Sequence, residues 1–186
     1  MALRAFVACE LDSALNERLA GLISELRPRL PRLRWVRPEG IHLTLRFLGS
    51  SPPDALVRLA PLLRRSAAEC PPFDLGLAGL GVFPERGAPR VLWLGLALPS
   101  AALELQRRCE ESAVEAGFAP EGRSFRPHLT LGRWRERERR PQLPSLEATA
   151  TRCESVTLFS SELRRDGAVY RAIESFPLGA AAAQKT

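Results

Sequence analysis

Ile41-His42-Leu43-Thr44-Leu45-Arg46-Phe47-Leu48-Gly49 holds the first histidine of this chain, and Pro127-His128-Leu129-Thr130-Leu131-Gly132-Arg133 holds the second and last. Both histidines open the same tetrapeptide, His-Leu-Thr-Leu, and they stand about half a chain length apart. With 31 leucines and six threonines among 186 residues, chance places Leu-Thr-Leu after the second histidine roughly once in a thousand tries, so internal duplication is the better account. Two equivalent lobes follow, each contributing one histidine strand.

Side chains alternate across a strand, so His and Thr of His-x-Thr share one face and the two leucines share the other. The leucines belong to a lobe core, and the two His/Thr faces meet across a cleft between lobes. Imidazole gives or takes a proton near neutral pH. Two of them on opposite sides of a substrate supply a base and an acid together. The hydroxyls of Thr44 and Thr130 are short neutral donors suited to non-bridging phosphate oxygens. Arg133 adds positive charge where a phosphorane-like transition state develops. In a regular strand Arg133 points away from His128, so the spacing demands a twist or bulge at Gly132. A lone strand histidine is commonly structural and a strand threonine is commonly just a good β-former. Duplication of the whole unit, using both histidines of the chain, outweighs those readings. No Cys/His/carboxylate cluster accompanies either histidine at ligand spacing, so no metal is expected.

Composition bounds the rest. A hydrophobic fraction of 45% excludes wholesale disorder. The longest charge-free stretch, Val91 to Leu103, is too short to span a bilayer, and the opening residues meet Glu10 before a signal-peptide hydrophobic region forms. Cys9, Cys70, Cys109 and Cys153 are scattered without a CxxC pair, which reads as reduced cytosolic thiols. Net charge is +6, and Lys185 is the single lysine among 27 basic residues. Arginine's rigid fork suits phosphate and nucleic acid, although a compositional bias toward Arg, Ala, Pro and Leu explains the excess equally well.

The pattern predicts a strand over Leu3–Ala8, a helix capped by Asp12 or Ser13 through Leu26, strands over Leu33–Val36 and Ile41–Leu48, and a helix from Pro52-Pro53-Asp54 to before Pro71. Paired strands follow over Phe73–Val82 and Val91–Leu98. A helix capped by Ser100 runs through Leu103, Gln106, Val114 and Ala116 to Gly117. A strand is expected over His128–Arg133, a loop over Trp134–Pro144, and strands over Ser155–Ser160 and Ala168–Phe176 around a turn at Asp166-Gly167. Residues 1–179 read as one bilobal domain and 180–186 as a frayed tail. Interleaved helices with hairpin-like strand pairs make the fold class α+β, with mainly antiparallel sheets and helices on the outside.

At these residues the chain resembles the two-histidine phosphoesterases, whose signature is a pair of H-x-T/S-x motifs, and within them the RNA 2′,3′-cyclic phosphodiesterases, formerly called 2′-5′ RNA ligases. The likeness spans nearly the whole chain: Arg4 to Ala8, Trp35 to Gly49, Phe83 with Arg90 to Gly95, Phe125 to Arg133, and Glu154 to Leu178 including Tyr170. The arginine-rich segment Trp134 to Arg140 has no clear counterpart. The resemblance implies a bilobal fold with pseudo-twofold symmetry and metal-free, cofactor-free hydrolysis of an RNA 2′,3′-cyclic phosphate end to a 2′-phosphate. It implies His42 as proton donor, His128 as proton acceptor, and Thr44, Thr130 and Arg133 as the phosphate-binding set. It also implies a monomer in the cytoplasm, without a membrane or an obligate protein partner. Activity on small cyclic nucleotides, weak 2′-5′ ligation and a non-catalytic RNA- or nucleotide-binding module remain the alternatives. Arg27, Arg29, Arg32, Arg34 and Arg37, and Arg133, Arg135, Arg137, Arg139 and Arg140, are candidates for RNA contact, against a solvated face with Glu136 and Glu138 interleaved.

Overall fold

The computed structural model describes residues 2–147, 149–164 and 167–179. Strand β1 (Leu3–Cys9) leads into helix α1 (Ser13–Leu26), which is closed at its start by Asp12, whose carboxylate accepts from the Leu15 N–H at 2.7 Å. Leu15, Leu19, Ile23 and Leu26 form the buried stripe of α1, at the spacing that keeps one helix face on a core. Single 3₁₀ turns at Arg27–Arg29 and Pro38–Gly40 flank β2 (Leu33–Trp35). Then come β3 (Leu43–Ser51) and α2 (Pro53–Ala68), where Pro53 stands at the first helical position and its missing N–H costs nothing. The order continues with β4 (Phe73–Phe83), β5 (Val91–Ala97), α3 (Ser100–Glu115), β6 (His128–Trp134), β7 (Ala150–Cys153), β8 (Ser155–Arg164) and β9 (Gly167–Pro177).

Among the described residues the nine strands form one sheet in the order β7-β4-β5-β6-β3-β1-β8-β9, with β2 also paired to β6, and every pairing is antiparallel. The motif strands β3 and β6 meet at the centre with Leu43 opposite Leu129. Those leucines hold the same place in the two tetrapeptides, so a local two-fold axis passes through that pair. The axis carries β1 onto β5, β8 onto β4 and β9 onto β7. The halves are interlocked, because β4 follows the first motif in sequence yet pairs with β5, and β8 follows the second motif yet pairs with β1. In this scheme the charged segment after β6 stands where α2 stands after β3.

Leu43, Leu45, Leu129 and Leu131 all enter one hydrophobic core together with the buried faces of α1, α2 and α3. The expected lobes therefore share a core rather than each building its own. All four cysteines lie in that core as free thiols. Burial pushes the thiols of Cys70 and Cys109 up in pKa, which keeps them protonated and unreactive.

Several local readings are corrected by packing. Pro99, not Ser100, occupies the cap position of α3, and no side chain caps it. Leu103 and Val114 are exposed, while Ala102, Leu105, Cys109, Ser112 and Ala113 are buried. Small residues win that face because α2 packs closely there, with the Ser66 and Ser112 hydroxyls 3.1 Å apart. Trp134 ends β6 rather than opening a loop: it pairs with Leu33, donates to the Arg90 carbonyl at 2.9 Å and is buried. Strand β7, Ala-Thr-Arg-Cys, is too short and polar to stand out and is recruited by pairing with Phe73 to Gly76. Asp166 of the expected final turn, and the tail at 180–186, lie outside the described residues.

Arg46 is 6% exposed and ties the first motif strand to the segment that delivers the second. It pairs with Glu110 of α3, donates to the Ala119 carbonyl and has Glu121 at 3.9 Å. Arg46→Met leaves Glu110 and that carbonyl without their donor, with an expected loss of about 1–3 kcal/mol because Glu110 keeps some solvent. Urea unfolding measures it, and a loss under about 0.5 kcal/mol would mean that desolvation cancels the pair.

Candidate active site

The leucines of both tetrapeptides turn into the core, so the His/Thr side chains of both motifs emerge together on the opposite face of the sheet. His42 stands just before β3. Its ring stacks on Phe6 with centroids 4.6 Å apart and meets Tyr170 edge-on at 5.1 Å, with Phe159 beyond. His128 begins β6 opposite Gly95 and meets Phe83 edge-on at 5.1 Å.

The two imidazoles are held alike. Nδ1 of His128 lies 2.6 Å from the carbonyl of Arg126, two residues back. The ring of His42 is hydrogen-bonded to the carbonyl of Gly40, also two residues back. A ring nitrogen that donates to a carbonyl fixes the tautomer. In His128 this leaves the lone pair of the neutral ring on Nε2. Burial lowers the pKa of His42 from 6.5 to about 4, against the opposing pull of the Gly40 carbonyl, and the proximity of His128 lowers it slightly further. Burial also lowers that of His128, and the positive charges of Arg133 and Arg126 add to the effect. Both rings are thus neutral in the free protein at pH 7.

The bulge that the spacing demands is present in β6. Trp93 pairs with Thr130 and Leu92 with Gly132, so Leu131 is the extra residue. Arg133 is thereby returned to the face of His128 and Thr130, and it is exposed there. Gly132 is required because β2 is paired closely alongside it: a Cβ there would lie 2.7 Å from Leu33 Cγ and 3.0 Å from the Arg34 carbonyl oxygen. Strand β3 carries the same bulge, with Val7 opposite Arg46 and Ala8 opposite Thr44, leaving Leu45 over. Its counterpart to Arg133 is Phe47, 41% exposed, with the Arg4 guanidinium 5.5 Å from its ring centroid. Among the described residues the guanidinium of Arg133 and the hydroxyls of Thr44 and Thr130 make no hydrogen bond or ion pair. Arg133 is close enough to both His128 and Tyr170 for its charge to act on each.

Each half of the sequence therefore supplies one histidine motif, while the rings around each histidine include residues from the other half. The model of the LigT-like phosphoesterases matches residues 10–93 and 96–170. The chain belongs to that family. As a LigT-like phosphoesterase it is 34% identical over 185 residues to an RNA 2′,3′-cyclic phosphodiesterase of Methanothermobacter thermautotrophicus, covering 96% of this chain and all of that one. It is 35% identical over 178 residues to one of Geobacillus stearothermophilus, covering 93% of this chain and 56% of that longer protein. Among solved structures, TT0787 of Thermus thermophilus superposes with a TM-score of 0.84 at 30% identity, over 95% of this chain and 98% of that one. Escherichia coli LigT complexed with 3′-AMP gives 0.81 at 26% identity, over 96% and 99%.

His42, Thr44, His128, Thr130 and Arg133 thus share one face of this LigT-like sheet. Tyr170, Phe6, Phe159, Phe83 and Trp93 also belong to the site, and the motif reading did not assign them roles there. The signal available for Trp93 was its place in the strand adjoining the second motif, and for Tyr170 that it is the chain's single tyrosine. The two arginine groups converge: Arg34 lies opposite Arg133 in the β2–β6 pair and Arg32 stands 3.5 Å from Glu138. Several of these arginines serve structure, since Arg140 donates to the Pro84 carbonyl at 2.6 Å and Arg27 covers Trp35 at 5.9 Å.

Between pH 6.5 and about 4 the unfolded chain binds a proton at His42 that the folded chain refuses. Stability therefore falls as pH falls through that window, and the His42 contribution is level above 6.5 and below 4. In His42→Phe, which keeps a ring against Phe6, urea midpoints measured from pH 4 to 8 should fall less steeply on acidification. An unchanged slope would show that His42 is not held neutral.

Proposed function

We propose that this chain hydrolyses RNA ends bearing a 2′,3′-cyclic phosphate to 2′-phosphates, by two-histidine acid–base catalysis. The observation that carries the reading is the pair of imidazoles, each tethered to the carbonyl two residues back and presented on one sheet face with threonine and arginine side-chain donors that have no partner among the described residues. The names borne by the family's relatives point to the same substrate.

In this reading Nε2 of His128 takes a proton from water as the water oxygen bonds to phosphorus. The bond from phosphorus to O3′ breaks, and His42 delivers its proton to that oxygen. The product carries the phosphate on O2′ and a free 3′-hydroxyl, and the proton gained by His128 returns to solvent. Thr44 and Thr130 donate hydrogen bonds to the non-bridging oxygens, and Arg133 balances the charge that builds on them. His42 is neutral in the free protein at pH 7, so the acid form must be made by the substrate: the phosphodiester anion favours the charged imidazole beside it. All the named groups come from one chain, which suits a monomer. No metal or cofactor enters any step, and among the described residues no three His, Cys, Asp or Glu side chains are grouped to hold a metal. Among those residues, too, no helix is long and apolar enough to cross a membrane. We place the reaction in the cytoplasm, where four free thiols stay reduced.

His42→Ala and His128→Ala should each slow hydrolysis of a short RNA ending in cyclic phosphate by about 10²–10⁴ while the fold persists. Near-normal turnover in either variant would remove the assignment. Leaving-group chemistry separates the roles: sulfur in place of the bridging O3′ departs without a proton, so it should rescue His42→Ala and leave His128→Ala slow. Rescue of His128→Ala in its place would reverse the order. Product analysis with a chelator present should show an unchanged rate, and a loss restored by added zinc or manganese would overturn the metal-free mechanism.

A further inference from the structure

The faces on the two sides of the two-fold axis are filled differently. Beside His42 the rings of Phe6, Phe159 and Tyr170 pack against the imidazole, and Ala8 is the neighbour of Thr44 in the sheet. The axis carries Ala8 onto Trp93, which is the neighbour of Thr130. There the indole lies across two glycines: a Cβ on Gly81 would fall 2.2 Å from Trp93 Cζ2, and one on Gly95 would fall 3.1 Å from Cζ3. A large ring laid on backbone in this way leaves its other face toward the open side of the sheet. Its indole N–H is buried and has no hydrogen-bond partner among the described residues, so this placement is not explained by satisfying the polar group.

Above this platform lies a cavity of about 330 Å³ bounded by Phe83, Trp93, Phe125, Arg126 and His128. The size is at the lower end of small-molecule sites, which run from about 300 to 1,000 Å³, so it suits one nucleoside rather than two. Its one charged wall residue is already matched, because Arg126 pairs with Glu85 and lies 4.6 Å over the Phe83 ring. An aromatic, charge-balanced pocket favours a flat heteroaromatic ring over a phosphate. His128 also lines the cavity, so its occupant is attached to the reacting group by no more than a sugar.

Resting on the cyclic phosphodiesterase reading, we propose that this pocket seats the nucleobase of the nucleotide carrying the cyclic phosphate, stacked on Trp93. Stacking on an indole face is tolerant of base identity, since every base has a π-face. The subsite therefore sets a preference for nucleotide ends over base-free cyclic phosphates, with little choice among the four bases.

The test is calorimetric titration of wild type, Trp93→Ala and Trp93→Phe with adenosine 2′-phosphate, cytidine 2′-phosphate and base-free 1-O-methylribose 2-phosphate, none of which requires turnover. Wild type should bind both nucleotides more tightly than the base-free phosphate. Trp93→Ala should weaken the nucleotides roughly five- to hundredfold and shrink that preference, and Trp93→Phe should restore most of it. A change shared equally by nucleotides and base-free ligand, or no change, would overturn the proposal. An effect confined to dinucleotides would overturn it too, by moving the platform to the neighbouring base. A readout that needs no variant is the magnetisation transfer from adenine protons to the Trp93 ring in wild type at saturation, whose absence would also count against it. Hydrolysis by wild type is assayed separately. Turnover with binding insensitive to Trp93 ends this proposal alone, and base-dependent binding without turnover ends the phosphodiesterase reading alone.

Discussion

The antiparallel contact of Leu43 with Leu129 decides the face on which everything else appears. Because the two leucines are equivalent and both point into the core, the histidines and threonines of both repeats must emerge on the other side. A slip of one residue in this pairing would bury His42 or His128 among the leucines and expose the core side chains of that strand. The helices reinforce the choice, since α1, α2 and α3 all deliver apolar stripes to the leucine face and, among the described residues, leave the other face uncovered by helix. The bulges at Leu45 and Leu131 then extend the site by one position, bringing the fifth residue after each histidine onto the same face.

From that shared frame the halves diverge at a few related positions. The residue after the bulge is Arg46 in one strand, buried and paired with Glu110, and Gly132 in the other, where β2 leaves no room for a side chain. The next is Phe47 in one and Arg133 in the other. The neighbour of the motif threonine is Ala8 in one and Trp93 in the other. Helix α2 on one side is answered by a charged segment. Identical tetrapeptides are thereby placed in unlike surroundings: His42 beneath aromatic rings, His128 beside a cation and an open pocket.

The repeat was legible because it uses both histidines of the chain and because the period of a strand sorts His/Thr from Leu without further knowledge. The helix over Ser13–Leu26 was legible for the same reason, its leucines keeping one period from cap to proline. What escaped depends on partners far away in sequence. Ala102, Ser112 and Ala113 outrank the more apolar Leu103 and Val114 for burial only because Ser66 arrives from α2. The four residues of β7 are a strand only because Phe73 to Gly76 offer an edge. The flat placement of Trp93 is written in Gly81, on a neighbouring strand, as much as in the tryptophan. The need for a bulge before Arg133 was readable from spacing, while the matching bulge at Leu45 was not, since Phe47 carries no charge to demand one.

The divergence at Phe47 and Arg133 also bears on how two like imidazoles divide one reaction. In the proposed chemistry the base must be neutral when water is bound, and the acid must be charged when the leaving oxygen departs. Arg133 disfavours a proton on His128, adding to the effect of burial, and so holds that ring in the form that accepts one. The two-fold mate of Arg133 beside His42 is a neutral ring, and no arginine contributes to the lowered pKa of His42, which comes chiefly from burial. Burial and cation respond differently to a bound anion. In that chemistry a phosphate oxygen placed against His42 supplies the compensating charge that a buried imidazolium lacks, whereas at His128 the same anion is shared with the charge of Arg133. In the proposed chemistry the arginine balances developing negative charge and, by standing on one side of the axis only, gives the two rings different grounds for being neutral in the free protein: burial with a neighbouring cation at His128, burial chiefly at His42.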